Sequence, residues 1–290
     1  MLIFQDCTVR LYLNRKQKAK LNISMYLDYW KFEKFPFENV PDPDFFYLSK
    51  SHEEALTRLN YAARMRKGSA MLSGEIGCGK TTLSMLFVRE LSEEKYDVGI
   101  IINPKLDPNE FIQEILYQFG IKDIPDSKIK CLRLLNEKML ANLDEGKETL
   151  LIVDEAQVLD ESTFEEIRLL LNFQLNNRFL ITIILIGQPE LVHKAKNIEQ
   201  LDQRIAVKYH LTPFNFEDTE KYIIFRQEKA GGRDNVFTDE AIANIFEHTG
   251  GVPRKINNLC DLSLLIGSNA KEKIINKKIV EKIFSDGAIF

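Results

Sequence analysis

The chain lacks most of the features that betray a specialised chemistry or compartment. Its four cysteines, Cys7, Cys78, Cys131 and Cys260, are far apart and form no C-x-x-C pair. Free thiols in a reducing compartment therefore fit better than a disulfide framework. The four histidines, His52, His193, His210 and His248, show no H-E-x-x-H or similar ligand spacing, and no zinc site is expected. Long hydrophobic runs are missing. The longest, Phe179 to Gly187, falls far short of the roughly 20 residues a helix needs to span a bilayer. The apolar patch at the N-terminus contains Asp6 and Arg10, so it does not read as a secretory signal. Neither sign of charge is in excess. The net charge of −4 gives no support for bulk affinity to nucleic acid, although a local basic patch remains open. Repeats and low-complexity tracts are absent. What remains is an ordinary globular composition, 44% hydrophobic and 28% charged over 290 residues, enough for one large domain or two smaller ones. A soluble cytoplasmic protein is the expectation.

One local pattern is specific. Gly74-Glu75-Ile76-Gly77-Cys78-Gly79-Lys80-Thr81-Thr82 matches the phosphate-binding P-loop G-x-x-x-x-G-K-[ST]. Three glycines let the backbone curl so that its N–H groups face a phosphate. Lys80 adds a point charge for the β- and γ-phosphates, and the Thr81 hydroxyl can ligate Mg²⁺. The flanks agree. Ala70, Met71 and Leu72 read as a short buried strand, and Leu83, Leu86, Phe87 and Leu91 recur at helical spacing behind the loop.

The surrounding chain alternates strands and helices. Residues 1–24 carry a basic run (Arg10, Arg15, Lys16, Lys18, Lys20) without a clean apolar face, which reads as a solvated tail more readily than as a binding arm. Met25 is an alternative start of translation. Residues 25–50 form an aromatic, proline-rich lead segment; Pro36, Pro41 and Pro43 argue against regular helix, and a loop pinned to a domain surface is expected. Ser51 with Glu54 predicts a capping box for a helix over 51–67, with Ala55, Leu59 and Ala62 on one face. Strands are predicted at 98–102, 150–153 and 181–186. Helices are predicted after Pro108, closing at Gly120, and over 128–145. Past Pro213 and Phe214 only helical patterns remain, at 217–230, 239–248, 254–267 and 276–285. This predicts a nucleotide-binding α/β domain over 51–212, its parallel sheet covered on both faces, followed by a small all-helical lid over 213–290.

The strand Leu150-Leu151-Ile152-Val153 ends in Asp154 and Glu155, which delivers two carboxylates to the carboxyl edge of a parallel sheet, where ligands bind in such folds. Asp154 is placed to hold Mg²⁺, mostly through water, and Glu155 to polarise the attacking water.

Together with Asp154-Glu155-Ala156-Gln157 and Gly187-Gln188-Pro189-Glu190-Leu191, the P-loop resembles those of the AAA+ ATPases. Within them the chain is most similar to the general secretion pathway protein A family, related to transposition ATP-binding proteins. The likeness begins at Tyr29-Trp30-Lys31-Phe32. It runs through Pro41-Asp42-Pro43, Phe46-Tyr47-Leu48-Ser49 and Leu201-Asp202-Gln203-Arg204-Ile205 to Gly250-Gly251-Val252-Pro253-Arg254-Lys255-Ile256-Asn257, covering about residues 25 to 270. The resemblance implies a P-loop NTPase that binds and hydrolyses Mg-ATP. It makes Gln188 the sensor-1 residue, Arg204 an arginine finger supplied to a neighbouring subunit of a ring or other homo-oligomer, and Arg254 the sensor-2 residue. It places His52 and the loop 45–48 near the adenine, with Phe46 or Tyr47 either stacking or packing in the core. Cys78 departs from the small or hydroxyl residue usual at its position; either it simply fits, or Lys80 activates its thiol. The implied task is assembly of a secretion or pilus-type envelope machine, with the chain cytoplasmic or peripheral to the inner membrane through a partner. Larger relatives carry a membrane helix and a peptidoglycan-binding module after this region, so a secretion role implies a partner subunit. The alternative is an ATP-dependent DNA-binding assembly factor of transposition or mobile-element type. Lys271, Lys273, Lys277, Lys278 and Lys282 are then phosphate contacts instead of a solvated helix face.

Overall fold

A computed structural model describes residues 26–176 and 178–285. The basic tail and the alternative start at Met25 lie outside the described residues. The main sheet is built from β1 (Ser69–Gly74), β2 (Tyr96–Ile101), β3 (Glu148–Val153), β4 (Ile181–Gly187) and β5 (Val207–Leu211). All neighbours are parallel, in the order β2-β3-β4-β1-β5.

Side-chain alternation explains why the central strands read as continuous apolar runs. Leu151 and Val153 of β3, Ile183 and Leu185 of β4 and Met71 of β1 enter the core on one face. Leu150 and Ile152, Ile184 and Ile186, and Ala70 and Leu72 enter the core on the other. A strand covered on both sides has no polar face to show. The first face is covered by α4 (Pro108–Gln118), α5 (Lys128–Asp144), α6 (Glu161–Leu170), α7 (Glu190–Asn197) and α8 (Glu199–Asp202). The second is covered by α2 (Lys50–Arg64) and α3 (Lys80–Glu90). The described residues open with a one-turn helix α1 (Leu27–Trp30), and the lid comprises α9 (Phe216–Lys229), α10 (Asp239–Thr249), α11 (Pro253–Asn269) and α12 (Lys277–Ser285).

Several elements differ from the sequence reading. Helix α2 is capped by Ser49, whose side chain accepts from the His52 N–H; Ser51 is already inside the helix and its hydroxyl meets Tyr209 Oη at 3.2 Å. The competing cap won because Leu48 and Ser49 are still extended off the lead segment. Strand β5 and helices α6 to α8 are not read from the sequence, although α6 carries Phe164, Ile167 and Leu170 at helical spacing behind the Asp160 cap. β5 alternates Lys208 and His210 with apolar neighbours because it is an edge strand. Where the start signal was complete it was legible. Asp107 accepts from the Asn109 and Glu110 amides while Glu110 returns the bond, and Pro108 occupies the first turn of α4.

The lead segment packs with the lid. Tyr26, Trp30, Phe32, Phe37 and Phe45 share one apolar cluster with Tyr222, Ile245, Leu259 and Leu264. Trp30 Nε1 donates to the Leu264 carbonyl at 2.9 Å, and the Tyr26 hydroxyl donates to Asp261. At the centre of this contact is Arg226, only 7% exposed and, among the described residues, without a carboxylate partner. Its Nε donates to the Pro36 carbonyl at 2.5 Å and its Nη2 to the Glu38 carbonyl at 2.9 Å, with the guanidinium 5.1 Å from the Phe45 ring centroid. With prolines at 36, 41 and 43 this stretch forms no α-helix or strand, only the 3₁₀ turn Pro43–Phe45, and a planar fork of donors meets the carbonyls left over. Replacing Arg226 by Met keeps the stem and removes the donors, so the buried Pro36 carbonyl loses its partner and the Glu38 carbonyl keeps only Asn257 Nδ2 at 3.4 Å. The expected loss is about 3 kcal/mol, measured as a shift of the urea unfolding midpoint; a midpoint equal to wild type would show that the network is dispensable.

Candidate nucleotide site

The carboxyl ends of β3, β4 and β1 lie side by side, with Ser73 opposite Gly187 and Val153 opposite Leu185. Three loops therefore meet at one edge: the P-loop after β1, the acid pair after β3, and Gln188 after β4. They open into a cavity of 490 Å³ between the sheet, the lead segment and the lid.

The P-loop residues Ile76 to Thr82 line it, as do Glu155, Gln188 and Arg254; Gly74 and Glu75 turn the chain into the loop from below. Gly77 and Gly79 have φ of +85° and +87°, conformations that side chains resist. Helix α3 starts at Gly79 with no side chain capping it, which leaves its first amides for a ligand. Lys80 is 6% exposed, and its Nζ donates to the carbonyls of Gly74 at 2.7 Å and Glu75 at 3.0 Å. Burial pushes its pKa down, opposed by neighbouring groups that include the Glu155 and Asp154 carboxylates.

Opposite, Thr81 Oγ1 donates to Asp154 Oδ2 at 2.6 Å. Asp154 is 3% exposed, and its other oxygen accepts from the Glu155 amide at 2.8 Å. Burial raises the Asp154 pKa, and the Thr81 hydroxyl and Glu155 amide pull it back. A hydroxyl and a carboxylate this close can share one small hard cation, and the donor set is of the oxygen type that Mg²⁺ takes. Glu155 has φ of 52°, a left-handed conformation that costs a residue with a side chain about 1 kcal/mol or more. It begins the 3₁₀ turn Ala156–Val158, which doubles the chain back beside β4. Gln188 Nε2 lies 3.4 Å from Glu155 Oε2.

Of the two distant arginines, only Arg254 lines this cavity. Its amide donates to the Gly77 carbonyl at 3.2 Å, and a Cβ at Gly77 would come within 2.6 Å of the Arg254 Cβ, so lid and P-loop touch directly. Arg204 does not reach its own cavity; its Nη1 donates to the Arg168 carbonyl at 2.8 Å, while its neighbours Leu201 and Ile205 are buried in the core.

On the lead-segment side, Phe46 and Tyr47 both line the cavity; Phe46 stands edge-on to His52 at 4.9 Å, and Tyr47 packs against Phe214, Tyr222 and Phe225. His52 is 1% exposed; its Nε2 meets the Cys78 carbonyl at 3.0 Å and its Nδ1 the Ser49 hydroxyl at 2.7 Å. Cys78 is buried, and burial pushes its thiol up to about 11 despite Lys80, so it fits as a small residue and holds no thiolate near neutral pH. Sequence reasoning assigned no role to Gln157, Arg226 or Asn257. Asn257 lines the cavity, accepts from the Tyr222 hydroxyl at 2.7 Å and donates to Asn39 Oδ1 at 3.1 Å. The motif ending in Asn257 was visible, but its partners lie 35 residues upstream at Tyr222 and 218 upstream at Asn39.

A parallel sheet of this order, with a P-loop, a buried acid at the end of the strand one removed from it and a helical lid, defines a P-loop fold of the AAA+ type. Residues 63–194 match the AAA domain family model. Within this class the chain is similar to general secretion pathway protein A. It is 36% identical to that protein of Aeromonas hydrophila over 259 residues, which cover 88% of this chain and 47% of the relative. It is 26% identical over 166 residues to the ATP-dependent target DNA activator B of Escherichia phage Mu, covering 56% of this chain and 50% of that one. The structure of the Aeropyrum pernix ORC2 protein matches with a TM-score of 0.64 at 20% identity, over 87% of this chain and 71% of that one, a likeness of fold alone. The chain spans about half the length of the curated relatives it matches. Among the described residues no helix is long and apolar enough to cross a membrane.

His52 carries a pH dependence that can be measured. Burial lowers its pKa from 6.5 to about 4, so the folded protein holds it neutral while the unfolded chain protonates it in that window. Stability therefore falls as the pH drops from 6.5 towards 4. From pH 7 to pH 5 the contribution is about 2 kcal/mol. In urea titrations at the two pH values, His52→Gln should flatten the dependence by that amount; equal slopes for variant and wild type would refute the assignment.

Proposed function

We propose that the chain is an Mg-ATP hydrolase that works as a homo-oligomer and uses the nucleotide cycle to assemble or remodel a partner complex. The observation that carries this reading is the 2.6 Å contact between Thr81 and Asp154 beside the Lys80 ammonium. The loop amides of 77–82 and Lys80 would hold the β- and γ-phosphates. Thr81 and Asp154 would hold Mg²⁺, which when bound would supply positive charge beside the phosphates. Glu155 orients the attacking water and takes its proton, and Gln188 holds that water or the γ-phosphate. Arg254 reaches the phosphates from the lid, so loss of the γ-phosphate releases the lid. Arg204 turns away from its own cavity, which supports its role as a finger for the adjoining subunit. The relation to general secretion pathway protein A supports a secretion or pilus-type complex as the partner. The place of action is then the cytoplasm or the inner face of the inner membrane through that partner.

A second reading is favoured by the relation to the target DNA activator and by five exposed lysines, Lys271, Lys273, Lys277, Lys278 and Lys282, at the end of the lid. In that case the oligomer forms on DNA. Binding that weakens log-linearly with salt and requires ATP would establish it; ATP-independent or absent DNA binding would leave the protein-partner reading.

Lys80→Ala should abolish magnesium-dependent ATP binding in calorimetry. Glu155→Gln should bind normally and turn over about 10²-fold more slowly or worse. Normal hydrolysis by Glu155→Gln would overturn the base assignment. For the shared site, Arg204→Ala mixed with Glu155→Gln should recover part of the lost activity, because mixed oligomers contain intact composite sites. No recovery from verified mixed oligomers would count against it.

A further inference from the structure

Gln157 lies outside the cavity lining, yet both of its amide atoms are committed to groups that line it. Its Oε1 accepts from the Gln188 backbone amide at 3.0 Å, and its Nε2 donates to Glu155 Oε2 at 2.6 Å. Chemistry fixes which atom does which: a backbone N–H requires an acceptor and a carboxylate requires a donor. The primary amide therefore bridges the two loops, one atom on each. A Glu of the same shape would accept on the Gln188 side but set an oxygen against Glu155. A Leu would do neither.

The fold makes room for this bridge at two points. The left-handed Glu155 and the following 3₁₀ turn bring residue 157 back alongside residue 155. At the end of β4, a Cβ on Gly187 would lie 2.6 Å from Gln157 Oε1, so only a glycine admits the carboxamide there. Gln188 shares the same carboxylate oxygen, at 3.4 Å. Glu155 is thus held by two amides, of which Gln157 makes the shorter bond and also pins the backbone of the other.

We infer that Gln157 is a positioning residue for the hydrolytic step: it fixes the Glu155 carboxylate and, through the Gln188 amide, locks the distance between the acid-bearing loop and the end of β4. This rests on Glu155 acting as the base. The two functions of a catalytic carboxylate, taking a proton and holding a water, both depend on where its oxygens point, and a carboxylate tethered at one oxygen presents the other. Gln157 does not itself line the cavity where nucleotide would bind and reaches it only through Glu155 and Gln188, so its loss acts on turnover and not on affinity.

The experiment compares Gln157→Leu, Gln157→Glu and Gly187→Ala with wild type in Mg-ATP turnover, with Kd for Mg-ATP measured separately by calorimetry and folding by thermal unfolding. Gly187→Ala displaces the bridge without altering any of its groups and serves if Gln157→Leu does not fold. The expected result is a loss of kcat of about 10-fold or more in all three, with KM and Kd within twofold of wild type. In the Glu155→Gln background, Gln157→Leu should cost almost nothing further, because the two act as one unit. Wild-type kcat in the folded variants, or an equal loss in both backgrounds, overturns the inference while leaving the base assignment intact. Full activity of Glu155→Gln alone sinks the base assignment and this inference with it.

Discussion

A hydroxyl and a carboxylate 2.6 Å apart, Thr81 and Asp154, join the two halves of the site. One belongs to the first turn of the helix after β1, the other to the end of β3, with β4 between them in the sheet. The contact depends on parallel strands of matched length, because antiparallel pairing would send Asp154 to the opposite edge. It also depends on burial. At 3% exposure Asp154 has few places to find a partner, and the Thr81 hydroxyl and the Glu155 amide satisfy it. Lys80 is held in the same region by carbonyls of its own loop, so the positive and negative groups face each other across a small volume of low dielectric.

The lid is tied to this volume from two directions. Arg254 contacts the P-loop through its own backbone. The lead segment reaches the cavity through residues 38–47 while its aromatic side chains are buried with those of the lid. Arg226 secures that packing by donating to carbonyls that a proline-rich stretch cannot pair internally. Lead segment and lid therefore share one apolar core, and the connections to the sheet are the turns at residues 48–50 and 212–215. A rotation of the lid carries the wall of the cavity with it, which is a physical route from nucleotide contacts to a change of shape.

Much of this was legible in the chain. The P-loop glycines carry their own backbone geometry, Leu150 to Asp154 reads as a buried strand that ends in an acid, and the capping box at Asp107 announces α4. Edge strand β5 was not legible, since one exposed face removes the continuous apolar run that marks β3 and β4. Ser49 displaced Ser51 as the cap of α2 because capping depends on where the preceding chain leaves off, a tertiary matter. Gln157 and Arg226 were silent for a similar reason. A glutamine two residues past an acid and an arginine within an amphipathic helix look like solvated surface until β3 is laid beside β4 and the lead segment is laid on α9.

By itself the sequence determined which groups the site contains and the local turns that present them, because glycine dihedrals, strand burial and helix starts are set by neighbours within a few residues. Only the tertiary structure decided which groups meet. The side of the sheet that Arg204 faces, the pairing of Gln157 with both Glu155 and Gln188, and the union of lead segment with lid all join residues far apart in the chain. Their proximity follows from strand order and core packing, which sum over the whole molecule and leave no mark on any single window of residues.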